Sequence, residues 1–130
     1  MTLRERAVLD TNIVIDMLHN RPAAWAEWRA ATRAWISRMT WIEVMSGVPE
    51  GATAETEEFL GYFAMSEIDV EIARRAAALR HQRKSLKSPD AVILASAQVS
   101  GRILVTRNTK DFPAEMPGIR VPYTVTPKVS

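Results

Sequence analysis

Four carboxylic acids fall where regular elements begin or end: Asp10 after Ala7-Val8-Leu9, Glu43 in Thr40-Trp41-Ile42-Glu43, Asp90 in Ser88-Pro89-Asp90, and Asp111 in Thr106-Arg107-Asn108-Thr109-Lys110-Asp111. Two carboxylates within ~4 Å repel by ~1 kcal/mol in water and by ~4 kcal/mol at an effective dielectric of ~20. Four together raise one another's pKa unless a cation compensates. The chain has no Cys, and His19 and His81 stand isolated, so the donors are oxygen alone. Such a set suits a hard divalent ion, Mg²⁺ or Mn²⁺, rather than zinc. An ion of that kind lowers the pKa of a water it binds and stabilises charge on an attacked phosphate. Carboxylates, a hard cation, nearby Lys and Arg and no evident side-chain nucleophile point to hydrolysis of a phosphodiester by water. Thr106 and Asn108, polar and neutral, are candidates to hold the geometry of the Asp111 loop.

Each acid also has a plainer reading. Thr40-x-x-Glu43 matches a capping box, Asp90 complements a helix dipole, Asp10 suits an N-cap, and Asp111 a turn closed on its own backbone. The elements that carry the four acids argue for the joint reading. Residues 6–9 read as a buried strand, and apolar residues at 13, 14, 17 and 18 as a helix behind it. Pro22 opens a second segment in which Trp25, Trp28, Ala31 and Trp35 recur at helical spacing. Strands are expected at 34–39, 62–68, 103–106 and 119–125, the last edge-like, and helices at 40–48, 51–61 and 70–84. Ser88 as N-cap, Pro89 at the first helical position and Asp90 in the first turn begin a further helix, closed by Gly101. Strands alternating with helices give a single α/β domain, a mostly parallel sheet covered on both faces. Strand C-termini and the following helix N-termini then share one edge, where ligands bind, and all four acids lie on it.

Composition narrows the class. A chain of 130 residues is one domain with room for a core. No apolar run approaches the ~20 residues of a membrane helix, and the start, Met1 to Leu9, runs into Asp10 too soon for a signal peptide, so a cytoplasmic protein is expected. Between Ile72 and Pro89 there are six cations and no acid, among them Arg80, Arg83, Lys84 and Lys87. With Arg107 and Lys110 these are candidate phosphate contacts, the bland alternative being a wet helix face. With four of the 15 acids assigned to the rim, the other 11 face 17 Lys and Arg, an excess of six positive charges. Asp16 reads as a solvated helix residue and Asp69 as an N-cap. Trp25, Trp28, Trp35 and Trp41 read as core rather than as a partner surface.

The sequence resembles the PIN-domain family, and within it the VapC-type toxin ribonucleases of bacterial toxin–antitoxin pairs. The likeness runs through Val8-Leu9-Asp10-Thr11-Asn12-Ile13-Val14-Ile15-Asp16, Thr40-Trp41-Ile42-Glu43-Val44, Pro89-Asp90-Ala91-Val92-Ile93-Leu94-Ala95-Ser96-Ala97 and Leu104-Val105-Thr106-Arg107-Asn108-Thr109-Lys110-Asp111-Phe112. The resemblance implies that Asp10, Glu43, Asp90 and Asp111 bind metal, and that Asn12, Thr106 and Asn108 are the polar positions beside it. It also implies Mg²⁺- or Mn²⁺-dependent cleavage of RNA, often structured RNA such as transfer RNA. A homodimer and a small inhibitory antitoxin are implied as well.

Two rivals remain. A haloacid-dehalogenase-type phosphatase also has an Asp after its first strand, but the second Asp of its Asp-x-Asp start is replaced here by Asn12. A non-catalytic module of the same fold, binding RNA or a partner through its basic helix, would use the acids only as caps.

Overall fold

Short apolar runs supply the sheet. In the computed structural model, which describes residues 6–125, the strands are β1 (Ala7–Leu9), β2 (Trp35–Ser37), β3 (Ala64–Ser66), β4 (Ile103–Val105) and β5 (Ile119–Arg120). Their spatial order is β3-β2-β1-β4-β5, with every neighbouring pair parallel. Residues 1–5, part of the stretch read above for a signal peptide, lie outside the described residues.

Parallel strands need crossovers, and among the described residues six helices provide all but the one from β4 to β5: α1 (Thr11–Leu18), α2 (Pro22–Ala30), α3 (Arg38–Ser46), α4 (Thr53–Leu60), α5 (Val70–Gln82) and α6 (Ser88–Ser100). Side chains alternate across a strand, and the core divides accordingly. Ala7, Leu9, Ile36, Ile103 and Val105 pack with Ile13, Met17, Val44 and Leu60 on one face. Val8 and Leu104 pack with Ile72, Leu79, Ile93, Leu94 and Phe112 on the other. This is the expected sheet with helices on both faces. All four tryptophans are partly buried and packed against a core, as their spacing suggested.

The boundaries differ from expectation at places that matter for the site. Ser37 ends β2 and caps α3, its hydroxyl accepting from the Met39 N–H at 3.1 Å. The strand expected over 34–39 is therefore three residues long, and α3 starts at Arg38 rather than at 40. Glu43 consequently lies in the second turn of α3, and the Thr40–Glu43 capping box does not form. Lys87, not Ser88, is the N-cap of α6, which places Pro89 one residue deeper in the first turn. Asp69 does cap α5, accepting from the Ile72 N–H at 2.8 Å. Gly101 closes α6 at φ 68°, a left-handed conformation that glycine adopts without steric penalty. β5 is shorter than the expected 119–125 because only two of its residues pair with β4.

Candidate active site

The register of β1 on β4 creates the site. Leu9 lies opposite Val105, so the two strands end together, and the Asp10 N–H donates to the Val105 carbonyl at 2.9 Å. The next residues, Asp10 and Thr106, are both buried at the C-terminal edge. Thr106 Oγ1 donates to Asp10 Oδ2 at 2.7 Å and accepts from Asn12 Nδ2 at 3.3 Å and from the Asn108 N–H at 2.9 Å. Asp10 Oδ1 accepts from the Thr11 N–H at 2.7 Å, so the plain N-cap reading of Asp10 is realised too.

Glu43 reaches this edge from α3 and is held across the domain. Thr11 Oγ1 lies 2.7 Å from Glu43 Oε1 and 3.0 Å from Thr40 Oγ1. A hydroxyl has one proton to give, so Thr11 donates to the carboxylate and accepts from buried Thr40. Sequence reasoning missed Thr11 and gave Thr40 only a capping-box role, although both stand inside the motifs that carry Asp10 and Glu43.

Asp111 is set by its own loop. Asn108 Nδ2 donates to Asp111 Oδ2 at 2.9 Å, and the Asp111 N–H donates to Asn108 Oδ1 at 3.2 Å. Arg83 Nη1 donates to the Asp111 carbonyl at 2.6 Å, and its Nη2 lies 3.9 Å from Asp111 Oδ1. Fully buried Phe112 follows and pins the loop to the core. Asp90 stands half-buried in the first turn of α6.

Asp90 and Glu43 are within electrostatic reach of Asp10, and Asp111 and Glu43 are within reach of Asp90. Burial, and then the charges of Asp90 and Glu43, push Asp10 up to about 6 against the lowering bonds from Thr106 and Thr11. Burial and the charges of Asp111 and Glu43 also raise Asp90, outweighing Lys87 and Arg83. Among the described residues no three His, Asp or Glu side chains stand close enough to grip an ion as they lie. The donors nevertheless fit a hard divalent cation chemically. They are all oxygens, and their mutual repulsion is of the sign that a dication relieves.

A model of the PIN domain matches residues 7–114. The chain belongs to the PIN-domain family. No protein with a curated description matches it. Among solved structures, this PIN domain is similar to a chain of the toxin–antitoxin complex from Klebsiella pneumoniae: 43% identity, TM-score 0.83, covering 92% of this chain and 99% of that one. It is also similar to a chain of the DNA-bound VapBC from Salmonella typhimurium, at 26% identity and TM-score 0.74, covering 88% and 95%. FitAcB from Neisseria gonorrhoeae, at 21% identity and TM-score 0.72 over 89% and 97%, shares the fold.

The cations of the PIN domain are not all disposed as a sequence reading suggests. Lys84, Lys87 and Lys110 are exposed, and Arg83 is half-buried beside Asp111. Arg80 donates from Nε to the Leu86 carbonyl at 2.9 Å, bracing the turn before α6. Arg107, expected at the rim as a phosphate contact, instead forms a bidentate pair with Asp16 at 2.6 and 3.1 Å. Asp16 is not a solvated helix residue. It is buried, and Arg107, Tyr123 and Arg21 surround it, because α1 turns that face toward the loop after β4 and the segment after β5.

Proposed function

We propose that this PIN domain is the toxin of a toxin–antitoxin pair, a Mg²⁺- or Mn²⁺-dependent endoribonuclease acting on structured RNA such as transfer RNA. The observation that carries this reading is the placement of Asp10, Glu43, Asp90 and Asp111 toward one edge, with Asp10 and Asp90 raised first by burial and then by the charges of acidic neighbours. The 43% identical relative in a toxin–antitoxin complex supports the biological setting. A small antitoxin partner, a homodimer and a cytoplasmic location complete the proposal.

Asp10, Glu43, Asp90 and Asp111 would hold the ion. Bound there, a divalent ion supplies a lowered water pKa and charge neutralisation at the attacked phosphate. The chain's own contribution is placement. Thr106 and Asn12 orient Asp10, Thr11 orients Glu43, and Asn108 orients Asp111. Arg83, Lys84, Lys87 and Lys110 supply phosphate affinity around the acidic edge. Membership of the PIN family leaves a haloacid-dehalogenase-type phosphatase without support. The non-catalytic module keeps one observation in its favour, since Asp10 does cap α1.

The deciding experiment incubates the purified, antitoxin-free protein with a mixed pool of small RNAs, with Mg²⁺ or Mn²⁺ and with chelator, beside Asp10→Asn and Asp90→Asn. Metal-dependent cleavage lost in both folded variants is expected. Absence of cleavage by the unaltered protein, with no metal-dependent shift in its melting temperature, would leave the binding module as the better account.

A further inference from the structure

Asp16 poses a question that the four acids do not answer. A buried carboxylate is costly unless it is paired and hydrogen-bonded, and this one has more partners than a helix surface needs. Its Oδ2 accepts from Arg107 Nε at 2.6 Å and from the Tyr123 hydroxyl at 2.7 Å, its Oδ1 accepts from Arg107 Nη2 at 3.1 Å, and Arg21 Nε lies 3.6 Å away. Burial alone would raise Asp16, but the Arg107 and Tyr123 hydrogen bonds and the Arg107 and Arg21 charges hold it below the ordinary carboxylate range. It is an anion with a fixed set of donors.

We propose that Asp16, Arg107 and Tyr123 form a positioning unit that holds the 106–111 loop, and through it Asp111 and Asn12, in place for the metal. The proposal rests on the nuclease reading above and assigns roles which that reading leaves out. Arg107 acts at both ends of the linkage. Its guanidinium clamps α1 through Asp16, while its main-chain N–H donates to Asn12 Oδ1 at 3.2 Å. Asn12 in turn lies 3.4 Å from Asp10 Oδ2 through Nδ2. On the loop side, Arg107 sits between Thr106 and Asn108, the residues that hold Asp10 and Asp111. The loop is polar until Phe112, so apolar packing anchors only its far end. The Asp16 pair anchors the near end. Tyr123 lies beyond the matched region 7–114, so the segment after β5 contributes the outer wall of the unit.

Partners that orient metal ligands, when removed, reduce metal affinity by about 10–100-fold. The test titrates Mn²⁺ by calorimetry into the unaltered protein, Asp16→Asn, Arg107→Lys and Tyr123→Phe. Circular dichroism checks the fold, and RNA cleavage is resolved into kcat and KM. Weaker Mn²⁺ binding by about 10–100-fold in Asp16→Asn and Arg107→Lys is expected, with a smaller loss in Tyr123→Phe, reduced kcat and unchanged KM. Folded variants that bind Mn²⁺ like the unaltered protein, even with lowered melting temperatures, would overturn the proposal. So would a rise in KM alone, which would return Arg107 to the phosphate contacts. If Asp16→Asn does not fold, Arg107→Lys decides, since its side chain is 28% exposed and keeps its charge. No Mn²⁺ binding by the unaltered protein would overturn both this unit and the nuclease reading. Normal binding with unaffected variants overturns the unit alone.

Discussion

Asp10 is under opposing pressures, and its titration can be read in stability. Its carboxyl is raised from 3.8 to about 6, first by burial and then by Asp90 and Glu43. The folded state therefore keeps the proton that the unfolded chain has released, and stability falls as pH rises between those values. The rise corresponds to roughly 3 kcal/mol at neutral pH. In chelator at pH 7, Asp10→Asn is expected to melt above the unaltered protein, by part of that amount because an amide offers one acceptor oxygen instead of two. The advantage is expected to shrink as pH falls through the folded value and to be nearly gone near pH 3, below both values, where the acid is mostly neutral in both states. Thermal melts at the two pH values check this, and a variant that melts lower at pH 7 would contradict it. Asp10 was legible as a candidate because it directly follows an apolar run, and Asp111 because it lies in the polar loop that leaves one. Asp16 was not, because helix periodicity alone cannot tell a carboxylate facing solvent from one facing an arginine 91 positions away.

The loop after β4 depends on an element boundary at each end. Val105 ends the strand in register with Leu9, and Phe112 re-enters the core that α5 and α6 form against the sheet. Phe112→Ala is expected to cost about 3–5 kcal/mol, the range for a large buried aromatic. Urea denaturation would measure it, and a loss below ~1 kcal/mol would mean that the loop has another anchor. The existence of nearly every strand and helix followed from periodicity, from Pro22 and Pro89, and from Gly101. The turn between β2 and α3 did not, since Ser37 serves both as the last strand residue and as the cap. A two-residue overlap there moves Glu43 from the first turn to the second. The local capping box is replaced by a bond from Thr11, 32 positions away.

Across the molecule, the residues other than the four acids carry an excess of six positive charges, and an ion that binds only the folded chain must stabilise it. At a hundredfold excess over Kd the gain is about 2.7 kcal/mol, on the order of 10 °C in melting temperature for a domain of this size. Mn²⁺ is expected to raise the melting temperature of the unaltered protein by that order and to leave Asp90→Asn nearly unmoved. An equal rise in both would place the ion elsewhere. Local chemistry in the chain was enough to specify an α/β domain, the edge on which its acids fall and the hard-ion character of their donors. Caps, turn residues and apolar spacing act over a few positions, and one chain displays them. The tertiary structure alone decided that Thr11 holds Glu43, that Arg107 pairs with Asp16 rather than facing the rim, and that Tyr123 joins them. Each of these contacts joins residues far apart in the chain, and strand register and helix rotation set them rather than any neighbouring residue.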